Sequence, residues 1–151
     1  MDVFDRRLLN ELQRDSSRSL AELAGEIGLS ASACHRRIKT LEEMGLIVGY
    51  GARLDRAALG LELEAFVAIS LAAQSQEALQ GFEAAVAASP DIRECYLTAG
   101  SADYMLRIAA RNMADYDRIH RDTLSRLPGV SSMQSTFAIR DVKPWQGYPV
   151  G

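Results

Sequence analysis

The hydrophobic pattern of the chain divides it into two parts near residue 60 of 151. Before that point, apolar residues recur at helical spacing, so that they share one face of a helix. After it, strand-sized apolar runs alternate with helical stretches. Because domains of about 50 to 100 residues can fold alone, the chain predicts a small helical domain followed by a small α+β domain.

Capping residues divide the first half into three helices. The first covers residues 3–13. The second follows Ser19, which forms a Ser-x-x-Glu capping box with Glu22, and it ends at Gly28. The third covers residues 30–44, with Ser30 as its cap.

The second and third helices are joined by the short turn Gly28-Leu29-Ser30, and another helix precedes them. This arrangement is typical of a helix-turn-helix DNA-binding unit, although helix pairs of this size also occur in other proteins. A strand is predicted next, over residues 46–54. The charges of the third helix support DNA binding, because residues 30–41 include three basic side chains and a histidine but no acid.

The third helix has one apolar face. At about 100° per residue, Cys34, Ile38 and Leu41 share that face, and the opposite face is predicted to enter the major groove. The opposite face carries Ser32, Arg36, Lys39 and Thr40. Arginine can bind guanine through two hydrogen bonds, serine and threonine can contact bases or phosphate, and lysine most often contacts phosphate.

Three more residues complete the predicted DNA-binding set: Ser30 at the start of the helix, and His35 and Arg37 on its flanks. Arg37 could equally pair with an acid such as Glu42 or reach a phosphate. Both alternatives stay open on the sequence alone.

The second half reads as β-α-β-β-α-β. Strands are predicted over residues 65–71, 92–98, 104–110 and 130–139, and the two helices are capped by Ser75 and Asn112. This order predicts a ferredoxin-like fold with both helices on one face of the sheet. The other face would carry Phe66, Ala68, Tyr96 and Met105, which are poorly suited to water, so this half is predicted to dimerise.

Motifs in both halves follow one another in an order that matches a known family. They include Leu23-Ala24-Gly25-Glu26-Ile27-Gly28-Leu29-Ser30, Arg37-Ile38-Lys39-Thr40-Leu41-Glu42, Gly45-Leu46-Ile47-Val48-Gly49-Tyr50, Gly100-Ser101-Ala102-Asp103-Tyr104 and Leu127-Pro128-Gly129-Val130. On these residues the chain resembles the Lrp/AsnC transcription regulators over nearly its whole length.

The resemblance implies an α+β chain with an N-terminal winged helix-turn-helix followed by a ferredoxin-like βαββαβ domain, called RAM. We expect a DNA-binding domain at residues 1–50, a linker strand and hinge at 51–61, a RAM domain at 62–143 and a C-terminal stretch at 144–151. It also implies homodimers that assemble further, commonly into octamers, and an amino acid bound near a Gly-Asp-x-Asp-Tyr loop.

That loop reads Gly-Ser-Ala-Asp-Tyr here, so Ser101 stands where the family usually has an acid. The predicted effector-binding residues are Thr98, Gly100, Ser101, Asp103, Tyr104, Gln134 and Thr136. Backbone N–H groups around Gly100 could bind the carboxylate of an amino acid, and Asp103 its ammonium group. Without the resemblance, the same residues describe an ordinary hairpin.

The sequence therefore predicts a sequence-specific regulator of transcription that binds double-stranded DNA and responds to a small amino acid. The alternative is an architectural, nucleoid-type DNA-binding protein without an effector. An enzyme is not expected, because Ala99 and Asp103 replace the glycines that would flank Ser101 in a Gly-x-Ser-x-Gly elbow. No metal or cofactor is expected either, since Cys34 and Cys95 are isolated and read as buried thiols.

The formal net charge of -3 is unevenly distributed. Residues 1–53 contain eight basic and eight acidic side chains, whereas residues 62–151 contain eight and eleven. Because the DNA-binding unit has no net charge, we expect affinity for DNA to come from several units bound at once. No leader pattern and no apolar run of membrane-spanning length is present, which predicts a cytoplasmic protein that does not associate with membranes.

Overall fold

The computed structural model describes all 151 residues. The helices are α1 (Val3–Arg14), α2 (Leu20–Ile27), α3 (Ala31–Glu43), α4 (Gln76–Ala88) and α5 (Met113–Asp122), and the strands are β1 (Leu63–Leu71), β2 (Ile92–Leu97), β3 (Tyr104–Ala110) and β4 (Val130–Ala138). The chain divides into two compact units. The first contains residues 1–53 together with 142–151, and the second contains residues 54–141.

The three helices of the first unit begin where their caps predict. Ser19 and Glu22 form the reciprocal capping box of α2, and the Ser30 side chain accepts a hydrogen bond from the Ala33 N–H at 3.2 Å. Gly28 ends α2 with φ of 77°, in the left-handed region that glycine adopts without a steric penalty. The turn between α2 and α3 thus has the geometry of a helix-turn-helix.

One apolar core holds these helices together. Its buried members are Leu8, Leu9, Leu23, Ala24, Ile27, Cys34 and Leu41. Each helix contributes to this core, including the apolar face predicted for α3, where Ile38 packs at its margin. The opposite side of α3 therefore faces solvent.

The strand predicted over residues 46–54 does not form within this chain, and the predicted linker strand and hinge at 51–61 contains no strand. Residues 47–55 have no regular structure, and residues 56–60 form a turn. A strand requires hydrogen bonds to a neighbouring strand, and no segment of this chain pairs with residues 46–54. Val48 accordingly remains 96% exposed.

The second unit has the predicted β-α-β-β-α-β order. Its antiparallel sheet has the strand order β2-β3-β1-β4. Alternate strand residues pack against α4 and α5 in a core that includes Ala65, Val67, Ile69, Phe82, Tyr104, Leu106, Ile108, Ile119 and Leu124. The fold class predicted from the sequence is therefore confirmed.

The other sheet face carries the apolar residues that the alternation predicted. Phe66 is 38% exposed and Tyr96 is 56% exposed. A partly buried ion pair lies beside them, in which Arg107 contacts Glu64 at 2.6 Å and Glu94 at 3.0 Å. The helices of this unit, α4 and α5, pack on the core face of the sheet, so we call this other face the open sheet face.

Two details complete the description of the second unit, and the second of them corrects an expectation. The last helix ends at Asp122, and Leu124–Arg126 forms a separate 3-10 turn before Pro128. Cys95 is half-buried rather than buried, because β2 is an edge strand. None of the helices combines the length and the hydrophobicity that crossing a bilayer would demand.

Candidate DNA-binding surface and effector loop

The outward side of α3 is the candidate DNA-binding surface. The structure leaves exposed all four residues that the helical pattern assigned to this face: Ser32, Arg36, Lys39 and Thr40. His35 is exposed next to them. Ser30 caps the helix, and its hydroxyl lies 3.2 Å from that of Ser32. The structure therefore brings six of the seven predicted residues to one exposed side of the helix.

The polar groups on this surface differ in whether they already form hydrogen bonds or ion pairs within the chain. The guanidinium of Arg36 and the ring of His35 make no hydrogen bond or ion pair within the chain, so both are available to a ligand. Lys39 Nζ lies 3.5 Å from Glu42, which is a weak exposed ion pair. The Thr40 hydroxyl donates to the Arg36 carbonyl oxygen at 3.0 Å, as threonine often does within a helix.

Arg37 points away from this surface toward the start of α1. Its guanidinium contacts Asp5 at 2.7 Å and Asp2 at 2.8 Å, and it lies 5.4 Å above the ring of Phe4. These hydrogen bonds to carboxylates raise the pKa of Arg37. Of the alternatives left open by the sequence, the structure has Arg37 paired with acids, but with Asp2 and Asp5 instead of Glu42.

The candidate effector loop is the hairpin between β2 and β3, residues 98–103. Thr98 closes it: its N–H donates to the Asp103 carbonyl at 2.8 Å, and its hydroxyl donates to the Ala102 carbonyl at 2.7 Å. The loop is also fixed to β1, because the Asp103 N–H donates to the Ile69 carbonyl at 2.8 Å. Its backbone is therefore held at both ends.

Asp103 is the only carboxylate of this loop, and both of its oxygens are engaged. One accepts the Leu71 N–H at 2.7 Å, and the other accepts the side-chain amide of Gln74 at 2.7 Å. Neither partner carries a charge, so the negative charge of Asp103 is not neutralised within the chain. Sequence reasoning did not identify Gln74, since nothing local links the loop after β1 to a hairpin 29 residues away.

The turn itself leaves hydrogen-bond donors unused. The N–H groups of Gly100, Ser101 and Ala102 make no hydrogen bond within the chain. Gly100 and Ser101 are exposed. Adjacent free N–H groups next to an unneutralised carboxylate offer both halves of a site for a zwitterion.

The structure does not bring the other three predicted effector residues to this loop. Tyr104 is only 1% exposed, and its ring packs against Phe82 with centroids 4.5 Å apart. Its hydroxyl donates to Glu83 at 2.7 Å, and burial together with this carboxylate raises the pKa of Tyr104 to about 12. Gln134 and Thr136 lie on β4, opposite Ala68 and Phe66 on the open sheet face.

Comparison with known proteins identifies the family. An AsnC-type helix-turn-helix domain matches residues 1–42, and the Lrp/AsnC ligand binding domain matches residues 64–147, more than half of the chain. The chain belongs to the Lrp/AsnC family. It is therefore a transcriptional regulator with a DNA-binding domain and a small-molecule ligand-binding domain, and not an enzyme.

Lrp/AsnC relatives match along most of their length. An uncharacterized HTH-type transcriptional regulator of Sinorhizobium fredii is 48% identical over 117 residues, 78% of this chain and 92% of its own. The proline dehydrogenase transcriptional activator of Rhodobacter capsulatus is 40% identical over 142 residues, 94% of this chain and 92% of its own. Each match covers more than three-quarters of this chain and more than nine-tenths of the relative.

A solved structure of an Lrp/AsnC-like regulator also superposes closely. The transcriptional regulator from Neisseria meningitidis, determined as a complex with L-methionine, has a TM-score of 0.93 and 31% identity. The match covers 99% of this chain and 96% of that protein. The two proteins therefore share a fold over their whole length.

Proposed function

We propose that this Lrp/AsnC regulator binds specific DNA sequences through α3 and that a small amino acid bound at the loop of residues 98–103 changes its assembly and DNA binding. The effector proposal rests on the presence, in one loop, of N–H groups without a hydrogen-bond partner and of a carboxylate without a cationic partner. Because its target is DNA, we propose that the protein acts in the cytoplasm, as bacterial transcription regulators do.

Arg36 is the residue we assign to base recognition. It is exposed near the middle of α3 and is not engaged within the chain, so it can bind the edge of a guanine without breaking a protein contact. We assign phosphate contacts to Lys39 and supporting contacts to Ser30, Ser32, His35 and Thr40. The bonds of Arg37 to α1 favour a structural role for that residue, which orients α3 within the unit.

The effector is proposed to bind as a zwitterion. Its carboxylate accepts the N–H groups near Gly100, and its ammonium group donates to Asp103. Each oxygen of Asp103 already accepts one hydrogen bond, but a carboxylate oxygen has a second lone pair for an incoming donor. The L-methionine bound by the Neisseria regulator supports an amino-acid ligand.

Assembly is the second part of the proposal. The open sheet face carries Phe66 and Tyr96, and a second copy is the occupant that would bury them. Residues 1–53 and 142–151 hold nine basic and eight acidic side chains, so one DNA-binding unit has little net charge. Dimers and higher oligomers, with an octamer as our expectation, would supply affinity by binding several DNA segments at once.

The proposal is tested first by ligand screening. Thermal shift with each of the twenty amino acids, combined with light scattering, identifies a ligand and shows whether assembly responds. The alternative, an architectural DNA-binding protein without an effector, predicts no shift with any amino acid. A ligand-binding domain spanning residues 64–147 disfavours that alternative.

Variants of the loop then test the site by calorimetry with the amino acid that gives the largest shift. Asp103→Asn removes the charge but can still accept the Leu71 N–H, so folding is expected to survive while binding is lost. Ser101→Ala is the matched control and should reduce binding only modestly. Ser101→Asp, which introduces the acid usual in the family, should strengthen binding. Full-strength binding by Asp103→Asn would contradict the assigned site.

A further inference from the structure

The last ten residues of the chain belong to the first unit, although they follow the second unit in the sequence. We call residues 142–151 the docked segment. The side-chain amide of Gln13 on α1 pairs with the backbone of Tyr148, accepting its N–H at 2.6 Å and donating to its carbonyl at 3.0 Å. Asn10, one turn earlier, donates to the Val150 carbonyl at 3.2 Å. Three hydrogen bonds thus fix the segment along α1.

The sequence of the docked segment fits this position. Val150 packs against the helical core, and the rings of Trp145 and Tyr148 meet edge to face with centroids 4.8 Å apart. Gly147 has φ of 94°, and a Cβ atom there would clash with the Gln13 side-chain amide oxygen. A side chain at residue 147 would therefore displace the amide that holds the segment.

The chain passes between the two units twice, at residues 53–54 and at residues 141–142. In the first unit, Gln13 binds both passages, because its carbonyl accepts a hydrogen bond from Arg53 while its side chain holds Tyr148. In the second unit, Arg56 Nη2 lies 3.9 Å from the carboxylate of Asp141. In each unit, contacts therefore join the two chain segments that connect it to the other unit.

We propose that the docked segment is a second tether, held by Gln13, that sets which spacing of DNA half-sites the protein accepts. A unit attached by one irregular linker can rotate about many backbone bonds, whereas a unit attached twice has far fewer orientations. Half-site spacing follows from the orientation of paired DNA-binding units. The inference rests on the proposed DNA binding by an oligomer, and it adds a residue that controls specificity without contacting DNA.

Release of the segment can be measured without DNA. Trp145 is the only tryptophan of the chain, so its fluorescence anisotropy and acrylamide quenching report on the docked segment. Gln13→Ala and Gly147→Ala should lower the anisotropy and increase quenching. Gln146→Ala is the matched control, because this glutamine lies in the same segment but forms no hydrogen bond. The thermal midpoint of each variant shows whether the rest of the protein is unchanged.

Specificity is then measured with an operator that the full-length wild-type protein selects from a random library. Half-sites in this operator are moved apart or together in single base pairs, up to about half a helical turn. Wild type and Gln146→Ala should lose about tenfold or more in affinity at half a turn, and the two released variants less than about threefold. Identical spacing profiles in all four proteins would overturn the role of the segment. Failure of wild type to select any DNA would overturn the proposed DNA binding as well.

Discussion

Replacing Arg36 by alanine should weaken binding to a selected operator by about 1 to 3 kcal/mol, or about 5- to 150-fold, which is the scale of one bidentate base contact. No further loss is expected from folding, because the Arg36 side chain is exposed and its guanidinium makes no hydrogen bond or ion pair within the chain. The thermal midpoint should therefore stay at the wild-type value, and the whole effect should appear in the complex with DNA.

Two neighbouring variants serve as controls for Arg36→Ala. Arg37→Ala removes the contacts with Asp2 and Asp5, so it should lower the thermal midpoint while leaving the preference among bases unchanged. Lys39→Ala should weaken all DNA sequences about equally and reduce the salt slope by about one unit, as the loss of one phosphate contact does.

The assay is fluorescence anisotropy with labelled operators that differ at single base pairs, repeated at several salt concentrations. Arg36→Ala should relax the preference at one base pair only. An equal loss on all sequences would show that Arg36 contacts phosphate and not a base. Unchanged binding by both Arg36→Ala and Lys39→Ala would refute the assignment of α3 as the recognition helix.

Three further predictions concern assembly and stability. Phe66→Lys places a charge on the open sheet face and should shift the protein toward monomers in analytical ultracentrifugation, whereas an unchanged mass would show that this face is not the interface. Phe82→Ala should destabilise the second unit by about 3 to 5 kcal/mol in denaturant unfolding, because the ring is fully buried against Tyr104; a loss below about 1 kcal/mol would contradict the packing. The backbone N–H and guanidinium of Arg111 hold the pKa of Asp115 well below its usual value, so the stability from this contact is complete above about pH 4 and is lost as the pH falls toward the folded-state pKa. Asp115→Asn should therefore flatten the acid limb of the thermal midpoint plotted against pH, and an unchanged limb would refute this cause.

The sequence predicted most of the fold because its signals are local. Caps such as Ser19 and Asn112 hydrogen-bond to N–H groups of the helices they begin, and strand alternation depends on adjacent residues. The failure at residues 46–54 has the same origin, since an apolar run suggests a strand but cannot show whether a neighbouring strand exists.

The positions of the candidate site residues were predictable to different extents. The exposed face of α3 follows from helical geometry, and the structure leaves it as expected except for Arg37, whose partners lie 32 and 35 positions away in the chain. Grouping Tyr104 with the effector loop overlooked the alternation that had already assigned Met105 to the open sheet face. Neighbouring strand residues point in opposite directions, so Tyr104 had to face the helices.

The docked segment could not have been found from the sequence. Residues 142–151 have neither helical nor strand periodicity, and their position depends on side chains of α1 such as Gln13. A contact between the two ends of a chain leaves no local pattern. The sequence analysis therefore left residues 144–151 as a C-terminal stretch outside both domains.

We propose that an amino acid bound by the second unit changes DNA binding by the first. The most direct test measures the affinity of wild type for its selected operator with and without a saturating amino acid whose binding calorimetry has established. We expect the Kd to change by about fivefold or more in wild type, the usual scale of coupling between sites, and to stay constant in Asp103→Asn. An unchanged Kd in wild type with the amino acid bound would contradict the claim.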